Sequence, residues 1–368
     1  MAMQIARLDL VHVTMPMVTP FASTHASRSN RRLFLVRVET QDGVVGWGEC
    51  AAEEKVGYSS ETLEISAAAV RNAIAPELGN LNDSAALGDG LRALTPAKFA
   101  AAAVYQAMLD ADLRDSGLSL ANILGVTAKH VHPGVVLGLQ TDMKDTLDLL
   151  HGYVADGYAR YKFKIEPGRD IEVIKAIRNF VGGEAVIQVD ANGSYGRDDI
   201  VMLTSLDEFK MAMLEQPLPA DDIDGSAELA SRMRTPICLD EAMVDRPSVA
   251  AAIASSAGSI INIKPGRVGG IDEAARIHDL CSEEGVGCWI GGMLETGVGR
   301  TANIVLAALP GCTHPGDVSP SSRYYATDLT EPFVMRDGKI EVPQEPGASR
   351  APIEDVLRHY GAINERVI

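Results

Sequence analysis

Five charged residues in the second half of the chain each close a short apolar run: Lys164 in YKFKIE, Asp190 in AVIQVDA, Glu215 in MAMLEQP, Asp240 in PICLDEA and Lys264 in SIINIKP. The steps between them are 26, 25, 25 and 24 residues. A pitch of that length is one strand plus one helix, so each charge falls at the same place in its unit. Three carboxylates brought to one level repel one another, and a hard divalent cation relieves the repulsion. All-oxygen ligation with room for water or substrate suits Mg2+. A lysine pushed towards neutrality by burial, beside a metal ion and a second lysine, becomes a usable general base. One lysine would take the proton α to a carboxylate, and the opposite one would return it or support loss of a leaving group. Alternation in YKFKIE puts Lys162 on the same face as Lys164, one layer deeper. It is either the second charge that acts on Lys164 or one half of a salt bridge.

Short strands must position these groups. Strands are expected at 134–139, 161–166, 185–191, 211–217, 236–242, 259–265 and 286–293, with a less clear eighth at 314–319, and amphipathic helices fill the gaps. Strand–helix alternation means parallel βαβ units, and seven or eight of them argue for an α/β protein with a closed TIM-like barrel. The five charges would then ring its C-terminal rim, with the two lysines on opposite walls. An open doubly wound sheet would need a Gly-rich turn after its first strand, and GLQTDM is not one. Residues 1 to 128 read as strands and then Ala-rich helices, including a hairpin turning at Asp42-Gly43 and a helix stopped by Gly117. Past Thr327 the repeat is lost, and a second hairpin turns at Asp337-Gly338.

Bulk properties narrow the function. The formal charge is −17 with no Lys/Arg run, which argues against nucleic acid as a partner. No apolar run reaches membrane length, and the N-terminus lacks a leader pattern. Five cysteines, an odd count without CxxC spacing, suit a reduced, cytoplasmic protein; Cys238 and Cys288 read as small hydrophobes in apolar strands. GVGRTAN (297–303) lacks the spacing of a dinucleotide fingerprint. A Schiff-base aldolase would account for one strand-6 lysine but has no need of a carboxylate arc. A non-catalytic binding barrel has no use for opposed lysines.

KFK, VDAN, EQP, LDE, IKPGRVGG and GGMLETGVGR together resemble the enolase superfamily, in its muconate-lactonizing branch. The likeness extends over nearly the whole chain, through GWGEC, YSSE and PGD, and is nearest to the o-succinylbenzoate synthase / N-succinylamino acid racemase family. That resemblance implies an N-terminal α+β capping domain (1–128), a (β/α)7β barrel (129–325) and a C-terminal segment (326–368) packing back on the cap. It implies Asp190, Glu215 and Asp240 as Mg2+ ligands, with Mn2+ or Co2+ as substitutes, and Lys164 and Lys264 as the acid/base pair, as is general for this superfamily. Asn192 would assist at the metal or the substrate carboxylate. Gly291, Gly292 and Met293 would line the pocket through their backbone, and Met293 stands where mandelate-racemase relatives carry a catalytic histidine. Arg267 is close enough to Lys264 to tune it and to favour proton transfer in both directions. Substrate choice would lie in cap loops at 20–30 and 51–60. Phe21 fits an apolar wall, His25 stands where an aromatic is expected, and Val136 replaces a hydroxyl of some relatives. The implied activity is α-proton abstraction from a small carboxylate by a homo-oligomer: dehydration, N-acylamino acid racemisation, or both. Dipeptide epimerases and cycloisomerases of the same branch are the alternatives.

Overall fold

The computed structural model describes residues 4–22, 27–81, 86–138 and 142–368. Three strands open the chain: β1 (Ile5–Ala22), β2 (Ser27–Thr40) and β3 (Val45–Cys50). They form an antiparallel meander whose β2–β3 turn is the expected Asp42-Gly43. The helix Lys98–Ser116 lies across β3 and stops at Gly117, which takes the left-handed conformation that glycine adopts without strain. Its close approach explains GWGEC: a Cβ on Gly46 would meet the Ala107 carbonyl at 2.1 Å, and one on Gly48 the Ala103 carbonyl at 2.0 Å. Alanines on the helix and glycines on the strand let the two backbones nearly touch.

A short strand, β4 (His130–Val131), leads into the repeat: β5 (Gly134–Leu137), β6 (Arg160–Lys164), β7 (Ile187–Asp190), β8 (Met213–Glu215), β9 (Ile237–Leu239), β10 (Ile260–Ile263) and β11 (Gly287–Ile290). These seven are parallel and pair in sequence order. The expected eighth strand is an irregular segment that still closes the ring. Thr313 and Asp317 N–H donate to the Cys288 and Ile290 carbonyls of β11, and Gly134 N–H of β5 donates to the Gly316 carbonyl. The architecture is thus a TIM-like barrel with a separate capping sheet. The barrel floor is filled by Met213, Cys238, Ile260 and Trp289, and the layer above it is polar. The outward-facing strand residues pack under the helices as the main core.

The tail returns twice. β12 (Met335–Arg336) and β13 (Lys339–Glu341) form the hairpin at Asp337-Gly338, with both turn residues at positive φ, and β13 pairs with β4. The last strand, β14 (Gly361–Arg366), adds to the cap sheet beside β1.

Candidate active site

Register puts the charges at one level. Lys164 pairs with Asp190 across β6–β7, and Asp190 with Glu215 across β7–β8; Asp240 and Lys264 follow directly on β9 and β10. Asp190, Glu215 and Asp240 are all essentially inaccessible to water, and Lys264 is 6% exposed. Strands β6 and β10 are four apart in a ring of eight positions, so the two lysines stand on opposite walls. Lys164 Nζ donates to Asp190 Oδ2 at 2.7 Å and to Asn192 Oδ1 at 2.6 Å. Lys264 Nζ donates to Asp240 Oδ2 at 2.8 Å. One layer down, Lys162 Nζ lies 2.9 Å from Asp190 and 2.7 Å from Glu215, which is the salt-bridge reading of that residue.

Burial and mutual charge pull the carboxylates apart. Burial, and then the charge of Asp190, raises Glu215 to about 8. Asp190 is held down at about 2, because Lys162 and Lys164 together outweigh the burial that would raise it. Asp240 is depressed likewise by Lys264 and Arg267 against its burial. At Lys162 and Lys264 burial is outweighed by nearby carboxylates. Burial opposes the charge on Lys162 and Lys264, but Asp190 and Glu215 for the first, and Asp240 for the second, overcome it and hold both ammonium groups above their ordinary range.

The donor set fits a hard divalent cation. It offers three buried carboxylates from adjacent strands, one of them raised to about 8 by burial and then by the charge of Asp190, with oxygen as the sole donor type. Glu241 adds to this. Burial, then Asp240 and Asp190, raises it to about 7, and its Oε2 is buried without a hydrogen-bond partner. Asn192, at φ 46°, joins the two sides: its amide donates to Glu241 Oε1 at 2.8 Å while its Oδ1 accepts from Lys164.

Several contributors carry no special mark in the sequence. Gln216 follows Glu215 at φ 36°, and its Oε1 accepts from Asp240 N at 3.0 Å, so the strained residue after one carboxylate aims the next. Asp317 on the closing segment accepts from Arg160 Nη2 at 2.5 Å and lies 3.8 Å from Lys162. Tyr58 reaches down from the cap loop. Its hydroxyl donates to Asp240 at 3.1 Å and accepts from Lys264 at 3.0 Å and from Arg267 at 2.8 Å. Arg267 is buried, bonded also to Asp240 and to the Met243 carbonyl.

The cap is fastened over this mouth by Arg31. Its fully buried guanidinium donates to the Met293 carbonyl at 3.2 Å, the Ala52 carbonyl at 3.1 Å and the Ala51 carbonyl. Met293 itself is buried in the cap's apolar cluster. Gly291 leaves room for the catalytic-wall side chains, since a Cβ there would meet Asn262 Oδ1 at 2.2 Å and Lys264 Cε at 2.7 Å. A Cβ on Gly292 would meet the Asp317 carbonyl at 3.0 Å. Val136 is buried on β5 opposite Lys162. Phe21 pairs through its backbone with Arg28, but its side chain, and the whole of His25, lie outside the described residues.

Comparison with known proteins gives one picture. Residues 5–125 match the family described as Mandelate racemase / muconate lactonizing enzyme, N-terminal domain, and residues 145–356 match Enolase C-terminal domain-like. An N-succinylamino acid racemase from Amycolatopsis sp is 43% identical over 357 residues, covering 96% of this chain and 97% of the relative. An o-succinylbenzoate synthase from Bacillus subtilis (strain 168) is 38% identical over 360 residues, covering 97% and 96%. Among solved structures, an enolase-superfamily member from Listeria innocua superimposes with a TM-score of 0.95 at 31% identity, over 100% of this chain and 99% of the other.

Proposed function

The chain belongs to the enolase superfamily, in its mandelate racemase / muconate lactonizing branch, and on that premise we propose that it abstracts a proton α to a carboxylate. The reactions are o-succinylbenzoate synthesis by dehydration, racemisation of N-succinyl- or other N-acylamino acids, or both on one site. The observation that carries this reading is the pair of lysines on opposite walls, Lys264 buried and Lys164 partly buried, each hydrogen-bonded to one carboxylate of a three-carboxylate arc. Relatives named for both activities match over almost their whole length.

Asp190, Glu215 and Asp240 would hold Mg2+, with Asn192 and Glu241 beside them. When bound, the cation would take the substrate carboxylate and offset the negative charge that grows there as the α-proton leaves. With the carboxylates committed to a cation, Lys264 would lose the Asp240 partner that keeps it charged, and burial would then act against that charge. One lysine in its neutral form takes the α-proton, and the other, still an ammonium, faces the opposite side of the same carbon. Return of a proton from that side inverts the centre. Departure of hydroxide instead, taking a proton from an ammonium group of the site to leave as water, completes the dehydration. Tyr58 and Arg267 fix Lys264 and Asp240 from above, and the cap excludes water from the mouth.

The test is α-proton exchange in D2O followed by NMR, with Mg2+, on N-succinyl-L- and D-phenylalanine. Exchange with racemisation in the wild type, lost in Lys164→Ala or Lys264→Ala, is the expected result. No exchange from either enantiomer sinks the racemase, and dehydration of the cyclohexadiene carboxylate substrate is then measured in the same way. Failure of both removes the proposed reaction.

A further inference from the structure

A second cluster of metal-ligating side chains lies outside the barrel mouth. Cys288 is the second residue of β11, and since Trp289 fills the barrel floor, Cys288 points outwards under the helices. It pairs across the closing segment with Cys312, and the helix Ile271–Glu283 lays His278 and Cys281 over them. The ligating atoms of His278, Cys288 and Cys312 all lie within 4.8 Å of one another. Cys281 is buried beside Cys288 but outside that 4.8 Å group, so it completes the set only by moving in.

We propose that His278, Cys288 and Cys312, with Cys281 as the fourth donor, form a binding site for one thiophilic divalent cation such as Zn2+, separate from the carboxylate site.

The donor types are the first argument. Two or three thiols and an imidazole make the soft S/N set that selects zinc over magnesium, whereas the barrel mouth offers oxygen alone. Spacing is the second. Zn–S of about 2.3 Å and Zn–N of about 2.0 Å place tetrahedral ligands roughly 3.5–3.8 Å apart, so the cluster needs to draw in by about 1 Å.

Orientation of the histidine is the third. His278 Nδ1 lies 2.9 Å from Asp279 Oδ1, and Nε2 accepts from Gly311 N–H at 3.0 Å. A carboxylate on one ring nitrogen fixes the tautomer that leaves a lone pair on the other, the arrangement found behind metal-ligating histidines. That lone pair faces the Gly311–Cys312 turn. On loading, Gly311 gives it up to the metal, and a thiolate beside its N–H is a ready acceptor.

The present thiol contacts are replaceable. Cys288 Sγ donates to the Gly311 carbonyl and Cys312 Sγ to the Leu306 carbonyl, each at 3.3 Å. Metal binding releases these thiol protons to solvent, two for Cys288 and Cys312 and a third for Cys281, and no electrons move. Cys312 is partly exposed, which provides an entry path. The loaded site would tie three separate pieces together: β11, the helix Ile271–Glu283, and the turn after the helix Gly297–Ala307.

The probe is Co2+ added to the full, reduced chain with Mg2+ in excess, so that the rim carboxylates are already committed. One equivalent is expected to give a thiolate-to-cobalt charge-transfer band and the strong visible bands of tetrahedral cobalt. Asp240→Asn, which alters only the barrel mouth, should leave both unchanged. Cys312→Ser, at the partly exposed position where a hydroxyl is tolerated, should lose most of the charge-transfer intensity. Asp279→Asn should weaken binding roughly tenfold. Absence of a charge-transfer band at one equivalent overturns the site, as does a band that survives intact in Cys312→Ser and Cys288→Ser alike. Because the spectrum does not depend on turnover, these results stand apart from those that decide the proposed reaction.

Discussion

Two buried carboxylates on either side of the seam between cap and barrel, Asp190 and Glu49, titrate in opposite directions. At the barrel mouth Asp190 is held at about 2, because two lysines reach it at hydrogen-bonding distance and overcome its burial. At the seam Glu49, on β3, is raised to about 7 by burial, with the charge of Glu295 adding to it, and its partners among the described residues are neutral donors. These are the N–H at 3.0 Å and the hydroxyl at 2.6 Å of the N-cap residue Thr296, and Gly299 N–H at 2.9 Å in the first turn of the helix Gly297–Ala307. Equal burial thus gives opposite chemistry. Where two lysines bond one carboxylate, as at Asp190, it keeps its charge; where hydrogen bonds alone are offered, as at Glu49, or where a charged neighbour adds to burial, as at Glu215, it leans towards the proton. The difference separates a carboxylate held among cations at the barrel mouth from one that caps a helix where one domain meets another.

The largest effect that would sharpen this contrast is at the cationic side. Lys164→Ala and Lys264→Ala should each reduce turnover by roughly 10²–10⁴-fold, the usual worth of a positioned general acid or base. Measured instead as exchange of the α-proton for deuterium with each enantiomer separately, each variant should lose exchange from the face its lysine serves and keep it from the other. Equal losses from both faces in both variants would break the two-wall assignment. Arg267→Ala leaves Asp240 with one cation fewer, and racemisation should fall by roughly tenfold or more, with dehydration less affected. A variant with full racemase activity would remove Arg267 from proton transfer. Tyr58→Phe deletes one hydroxyl that bridges Lys264, Arg267 and Asp240. A loss of about tenfold in kcat is expected, in keeping with one hydrogen bond to charged groups, with little change in thermal midpoint.

The mouth was largely legible in the sequence, and the seam was not, for a physical reason. Each βα unit repeats the same pitch, so Lys164, Asp190, Glu215, Asp240 and Lys264 announce a shared level before any fold is known. Strand ends were read too long at Ala191, Gln216 and Pro217, because the apolar alternation runs on into the rim loops. Those loops carry the strained residues Asn192 and Gln216. Arg31 to Met293, Tyr58 to Asp240 and Glu49 to Thr296 are contacts between segments about 180 to 260 residues apart. No local period encodes such pairs. Glu241 had a signal, the second acid of LDE at the rim, but one acidic neighbour is common on loops and does not distinguish itself. The sign of the lysine titration was unreadable for the same reason: it depends on which carboxylates lie within reach, not on burial alone.

Glu49 offers the smallest effect and the clearest break between the two regions. Its folded value near 7 lies above its ordinary value of 4.5. Its contribution to stability is therefore fully present below about 4.5 and is lost as pH rises through about 7, amounting to about 3 kcal/mol over that window. Glu49→Gln is uncharged throughout, so it removes this pH dependence. It also sets an NH2 group against donors such as Gly299 N–H, at a cost of about 1–3 kcal/mol. Urea unfolding at pH 5 and pH 8 should show the variant well below the wild type at the lower pH and closing the gap at the higher one. The opposite trend, a gap that widens with pH, would mean that the helix N–H groups hold the charge as firmly as the lysines hold Asp190. In that event what sets the two regions apart is not the presence of cations but the number of donors, and the rim lysines would owe their placement to proton transfer alone.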